Sequence, residues 1–240
     1  MKLPLPVNKN NRLAPEHVCY MGTTGSCKTT AIRKLNLIPK AAQVVLFDPY
    51  RDHAGQMLQG MKVKPFTTFA EFYQNAWFAR KAREPFRFAL VGQERTRENL
   101  ELFAQMVWSM GDGKHPRRLH CVIEELAKFT SNIGKLDGAA GELWTGGRGF
   151  GLVMHATFQR SQEIPKTVLD ESKHIYIGAV SSKRNAKYIA DYFDVPYEDI
   201  VALKSGNERD HLGARDKYAD YILKSPGIGN HKHGKIYPGR

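Results

Sequence analysis

The residues Gly22-Thr23-Thr24-Gly25-Ser26-Cys27-Lys28-Thr29-Thr30 have the types and spacing to hold a phosphate. They nearly match G-x-x-x-x-G-K-[ST], with Cys27 standing where the second glycine is expected. An apolar segment, His17–Met21, precedes them, and a helical pattern over Thr29–Leu37 follows until Pro39 ends it. In such a turn the backbone N–H groups surround an anion, aided by the positive end of the helix. Lys28 would neutralise the β- and γ-phosphates of a nucleotide, and the Thr29 hydroxyl would ligate Mg²⁺. Cys27 adds a Cβ where backbone has to pass close to phosphate. Beside a lysine and a helix start, its thiol is also open to a lowered pKa. The plainer alternative is an ordinary Gly/Ser/Thr turn with Lys28 in solvent. Lysine, hydroxyl, turn and flanking elements together argue against it.

Hydrolysing a nucleotide also takes carboxylates that organise the metal and the attacking water. His120-Cys121-Val122-Ile123-Glu124-Glu125 supplies an apolar strand ending in two of them. Glu124 is expected to support Mg²⁺, directly or through water, and Glu125 to orient or deprotonate the water. A second apolar run, Gly151–Thr157, ends at Phe158-Gln159-Arg160, and Gln159 could hydrogen-bond the water or the γ-phosphate. Arg148 is the first candidate for stabilising transferred charge from a neighbouring subunit, and Arg160 the second. Each of these residues also has a bland reading: a solvated acidic strand end, a surface amide, a structural ion pair. His155 lies inside its strand and reads as core. No His/Cys/Asp/Glu cluster shows convincing metal-ligand spacing in sequence.

These residues need a frame that brings distant strand ends together. Short apolar runs at Ala42–Phe47, Phe86–Val91, Leu119–Ile123 and His174–Val180 read as strands. Between them lie helical patterns: Phe69–Lys81 behind a Thr68/Glu71 capping box, the face Leu100, Phe103, Ala104 and Val107, and the face Ala186, Ile189, Ala190 and Phe193. This alternation predicts an α/β sandwich with a mostly parallel central sheet, whose carboxyl edge gathers the candidate residues. Residues 1–16 read as an irregular N-terminal segment and 17–224 as one domain, with Lys217–Leu223 as a possible edge strand. Residues 225–240 read as a flexible basic tail rich in Gly and Pro.

Composition narrows the field. The 240 residues are 42% hydrophobic and 25% charged, which excludes collagen-like and wholly disordered classes. Lys plus Arg number 36 against 24 Asp plus Glu, a formal charge of +12 that favours a phosphate-rich partner. Three cysteines without paired spacing fit a reducing compartment. No apolar run approaches the roughly 20 residues of a membrane span, and the start MKLPLPVNKN lacks the apolar core of a signal peptide.

Taken together, Gly22–Thr30, Val45–Pro49, Val122–Glu125 and Gly147–Arg160 resemble the FtsK–HerA superfamily of DNA-pumping ATPases. The small size looks like the genome-packaging ATPases of tailless, membrane-containing icosahedral double-stranded DNA viruses. The resemblance implies a RecA-like P-loop NTPase core in a homo-oligomer, with a hexamer expected, ATP and Mg²⁺ between subunits, and double-stranded DNA in a central channel. It implies roles in phosphate and metal binding for Lys28 and Thr29, a Walker B acid in Glu124, a catalytic glutamate in Glu125 and a polar sensor in Gln159. Arg148 falls where a trans-acting arginine is plausible. Host cytoplasm and the packaging vertex of the virion, with portal-like viral proteins as partners, follow from the same resemblance. Lys62, Lys64, Arg80, Lys81, Arg83, Lys128, Lys135, Lys232, Lys235 and Arg240 are available contacts for DNA phosphate, although Arg80, Lys81 and Arg83 also read as a solvated helix end. Three rivals stay open: a filamentous-phage assembly ATPase, a nucleotide or small-molecule kinase, and a DNA-binding structural protein that has lost turnover. Glu125 and Gln159 argue for hydrolysis over a kinase.

Overall fold

The computed structural model describes residues 3–130, 134–211 and 217–238. Its strands are β1 (His17–Met21), β2 (Gln43–Asp48), β3 (Met57–Leu58), β4 (Met61–Lys62), β5 (Lys64–Phe66), β6 (Phe86–Val91), β7 (Leu119–Ile123), β8 (Leu152–Phe158), β9 (Ser172–Ile177), β10 (Ala219–Lys224) and β11 (His231–Ile236). Its helices are α1 (Lys28–Lys34), α2 (Phe69–Ala82), α3 (Arg97–Ser109), α4 (Gly138–Thr145), α5 (Lys166–Glu171), α6 (Lys183–Phe193), α7 (Tyr197–Val201) and α8 (Gly206–His211). Nine strands form one sheet in the order β11-β10-β9-β1-β8-β7-β2-β6-β5, while β3 and β4 make a separate small hairpin. From β9 to β5 every pairing is parallel, and β10 and β11 add antiparallel strands at one edge. Among the described residues no helix is long and apolar enough to cross a membrane.

The central strands β1, β2 and β7 are buried along their whole length, as continuous apolar runs in a parallel sheet require. Alternate side chains serve different faces. Cys19, Val45, Phe47, Cys121, Ile123, Met154 and Phe158 join the larger core, with residues of α2 to α7. Val18, Tyr20, Val44, Leu46, Val122 and Tyr176 join a smaller one, closed by Ala31 and Ile32 of α1 with Ile38, Leu58 and Val63. The Thr68 cap forms as its sequence pattern predicts: its hydroxyl accepts from the Glu71 amide at 3.3 Å.

Two expectations are corrected. The segment expected as a flexible tail contains β11, which pairs with β10 from Lys224↔His231 to Ala219↔Ile236. The glycines at 227 and 229 serve the turn that reverses the chain, with φ of 105° and 67°. Lys232 and Lys235 therefore lie on an edge strand, where lysines discourage pairing with another sheet; Arg240 lies outside the described residues. Arg80 is no solvated helix end. It is 5% exposed and donates to Gln43 Oε1 at 2.7 Å and to the carbonyls of Met110 and Arg117.

Several histidines are buried as neutral rings. His17 receives the Met154 amide on Nδ1 at 3.0 Å and donates from Nε2 to the Trp144 carbonyl at 3.1 Å, which fixes one tautomer. His120 Nδ1 meets His155 Nε2 at 2.9 Å, and His155 Nδ1 meets the Tyr20 hydroxyl at 3.2 Å. Burial pushes His17 down to about 4 and His120 to about 3, with His155 also far below its ordinary value. The unfolded chain binds these protons near pH 6.5, so stability falls as pH drops from 6.5 towards 4. The slope is up to about 1.4 kcal/mol per pH unit for each such ring. Urea unfolding across this range should show the decline, and His17→Gln should make it shallower by one ring's share. A His17→Gln profile parallel to the parent would refute the buried neutral histidine.

Candidate nucleotide-binding and hydrolysis site

Four strands end at one edge and carry the site. The β1–β8 pairing places Met21 against Phe158, and the β7–β8 pairing places Ile123 against Ala156. The glycine-rich loop after β1, Gln159 after β8 and the two glutamates after β7 therefore start from adjacent strand ends. Asp48 ends β2 on the far side of β7. This is the carboxyl edge where parallel α/β sheets gather their ligands.

The loop is anchored before it meets any ligand. Gly22 donates to the Phe158 carbonyl at 3.2 Å and Thr23 to the Ala179 carbonyl at 2.9 Å. The Tyr176 hydroxyl, rising from β9, donates to the Ser26 carbonyl at 2.6 Å. From α8 the Gly206 amide donates to the Gly25 carbonyl at 3.0 Å. Gly25 has φ of +83°, a backbone conformation that favours glycine, and a Cβ there would also press on the exposed Asn207 side chain. Lys28 Nζ donates to the carbonyls of Gly22 and Thr23 at 2.7 and 3.1 Å, inside the loop's curve. Burial lowers the Lys28 pKa, and the charges of Glu124 and Glu125 oppose that shift, so both carboxylates lie within its field. Thr24 is exposed, and Thr29 and Thr30 are partly exposed in the first turn of α1.

Cys27 sits at the N-cap of α1 with φ of +57°, the left-handed conformation that a glycine adopts without strain. Its side chain packs against the smaller core. Burial raises the thiol pKa, outweighing the lowering effects of the Thr30 hydrogen bond and of Lys28. The reactive thiol suggested by the sequence is thus replaced by a packed one.

The two glutamates have different surroundings. Glu124 is 3% exposed, with Oε1 accepting from His53 Nε2 at 2.6 Å and Oε2 from the Thr157 hydroxyl at 2.6 Å. Burial works to raise its pKa, but the His53 and Thr157 hydrogen bonds and the charges on His53 and Lys28 hold it below the usual carboxylate range. Glu125 has φ of +51°, a conformation uncommon for a residue with a side chain. Its amide donates to the Thr157 hydroxyl oxygen at 2.8 Å, and its carboxylate meets Gln159 Nε2 and Lys128 Nζ. Glu125, Lys128, Gln159, Arg160 and Glu163 line an open cavity of about 360 Å³.

Not every expected residue arrives here. Arg148 lies before β8, at the opposite end of the sheet, and donates to the carbonyls of Asn11 and Leu13 at 3.0 and 2.7 Å. Arg160 is on the rim, 72% exposed, with Glu163 at 3.5 Å. Lys128, expected on DNA, is held instead by Glu125 and by the Tyr50 hydroxyl at 2.7 Å. His53 and Thr157 were not singled out in the sequence. Asp48 places His53 by accepting the amides of Asp52, His53 and Ala54 at 2.8 to 3.0 Å. The strand-ending Asp48-Pro49 was the available signal for that turn.

Thr157 donates to one glutamate and accepts from the amide of the next, so Thr157→Val leaves a buried carboxylate oxygen and a backbone N–H short of partners. The expected loss is about 1–3 kcal/mol in urea unfolding at neutral pH, with the Glu124 pKa moving upward. An unchanged midpoint would remove Thr157 from this role.

No family model matches the chain. A curated relative, "Protein P9" of Pseudoalteromonas phage PM2, is 29% identical over 189 residues, covering 79% of this chain and 80% of that protein. Among solved structures, the genome packaging NTPase B204 of Sulfolobus turreted icosahedral virus 2 in complex with ATP-gammaS superposes with a TM-score of 0.66 at 13% identity. That match covers 94% of this chain and 99% of B204. VirB4 of Thermoanaerobacter pseudethanolicus gives 0.59 at 10% identity over 100% and 98% of the two chains. The chain therefore has the RecA-like P-loop NTPase fold that its motifs imply.

Proposed function

We propose that this chain is a Mg²⁺-dependent ATPase that drives double-stranded DNA into a preformed viral capsid. The observation that carries the reading is the meeting, on adjacent strand ends, of the Gly22–Thr30 loop with Glu124, Glu125 and Gln159. The full-length fold likeness to a packaging NTPase solved with ATP-gammaS and AMPPCP supports the nucleotide and the task. The surplus of +12 supports a nucleic-acid partner, since each subunit of a homo-oligomer would add its own positive field. A hexameric ring, a docking partner at the capsid vertex and a place between host cytoplasm and virion belong to the same proposal.

Each residue has a task in this reading. Loop amides and Lys28 bind the β- and γ-phosphates. The residues present fit Mg²⁺, which takes hard oxygen ligands. The Thr29 hydroxyl stands in the first turn of α1, and each Glu124 oxygen keeps a lone pair beyond its single hydrogen bond. Bound there, the metal supplies charge that offsets the phosphate oxygens. Glu125 orients the attacking water and takes its proton, and Gln159 aligns the Glu125 carboxylate. The left-handed backbone at Glu125 turns it away from Glu124, so neighbours in sequence do different work. Of the two arginines, Arg160 is on the same rim as Glu125, whereas Arg148 could act only across a subunit contact.

Glu125→Gln should keep nucleotide affinity while lowering hydrolysis by roughly 10²–10⁴-fold, the usual contribution of a positioned base. Turnover should be measured with and without double-stranded DNA while oligomer size is recorded. DNA-stimulated hydrolysis in a ring supports the motor. Phosphate transfer to a small acceptor by a monomer, or undiminished turnover in Glu125→Gln, overturns it.

A further inference from the structure

The edge hairpin carries a second cluster with a ligand chemistry of its own. His231 and His233 are two apart on β11 and so project from the same side of the strand. Opposite them is Asp199 of α7. One ligand atom from each of the three residues lies within 4.8 Å of the others. Nε2 of His233 is 3.2 Å from Asp199 Oδ2, and Nε2 of His231 is 3.6 Å from the same oxygen. A tetrahedral zinc ion, with bonds of about 2.0–2.1 Å to nitrogen and oxygen, needs ligand atoms about 3.3–3.4 Å apart. The two histidine–aspartate separations bracket that edge. Neither ring nitrogen of His231 has a hydrogen bond among the described residues: Nδ1 is buried without a partner, and Nε2, which faces Asp199, stands beyond hydrogen-bond distance of it.

We propose that Asp199, His231 and His233 form a three-ligand site for a divalent transition metal of the zinc class, with its outer position open to water. Imidazole and carboxylate suit zinc, nickel or copper, whereas Mg²⁺ prefers an all-oxygen shell. Side-chain exposures of 16% for His231, 36% for Asp199 and 54% for His233 give the ion a route in from one side. The site is separate from the phosphate loop and does not depend on the ATPase reading. Its metal would join β11 to α7. From α7 the chain passes through Lys204, paired with Asp220 of β10 in both directions, to the Gly206 amide on Gly25. The clip would therefore brace the segment that rests on the loop.

The test uses the untagged full chain, stripped with a chelator and titrated calorimetrically with Zn²⁺ alone. One equivalent should bind and raise the melting temperature. Co²⁺ in its place should give the strong visible absorption of a four-coordinate ion. His231→Gln and His233→Gln should each weaken Zn²⁺ by at least about tenfold. Asp199→Asn should weaken it too, and an excess of Mg²⁺ should not compete. Circular dichroism of the metal-free variants separates lost ligands from lost folding, and His233, more than half exposed, is the variant least able to disturb the hairpin. Absence of binding, or Zn²⁺ affinity unchanged in a folded His233→Gln and in Asp199→Asn, overturns the proposal.

Discussion

The Thr157 hydroxyl joins two strands at the point where the chemistry is gathered. Its proton goes to Glu124, just after β7, and its oxygen receives the amide of Glu125. A single atom thus ties the carboxylate of one glutamate to the backbone of the next. Glu124 is kept ionised inside the protein because hydrogen bonds and nearby positive charge outweigh its desolvation. Glu125, released into left-handed backbone, reaches the open cavity and meets a lysine and an amide. The pairing of β8 between β1 and β7 makes this possible, since it delivers Thr157 and Gln159 to the same edge as the phosphate loop.

The two faces of the sheet are unequal in a way that serves the site. One face carries six helices and a large apolar core, which gives the strands their fixed positions. The other is covered by α1 and the 35–63 region and holds the buried polar groups His120, His155, Tyr20 and Arg87, while His17, Gln43 and Arg80 are buried on the first. Arg87 is satisfied by the carbonyls of Leu58, Phe86 and Lys40 at 2.9 to 3.2 Å. Such groups are tolerated because each finds a partner, and an interior of this kind specifies geometry more sharply than oil-like contact would.

Much of this was legible beforehand where one local signal decided the outcome. The strands Phe86–Val91 and Leu119–Ile123 have the bounds their apolar runs predict, and Thr68 caps its helix as the spacing of Glu71 requires. That Lys28, Glu124, Glu125 and Gln159 gather at one sheet edge was legible, because each follows a strand whose carboxyl end is set by parallel pairing. His53 was not: it lies 71 residues from Glu124 in the chain, and only the turn built on Asp48 brings them together. Strand β11 was hidden because HKHGKI has a glycine and two lysines and a single β-branched residue, and its pairing with β10 overrides that preference. Arg148 precedes β8 and so lies at the amino end of that strand, away from the loop of its own chain.

Tyr176 has a consequence that extends beyond its own strand. Its ring stacks on Tyr221 of the edge hairpin at 5.1 Å, while its hydroxyl grips the Ser26 carbonyl. The last strands of the sheet therefore reach the nucleotide cradle through one aromatic contact and one hydrogen bond. The edge hairpin and the Gly22–Thr30 loop thus meet on one side chain, which belongs to neither.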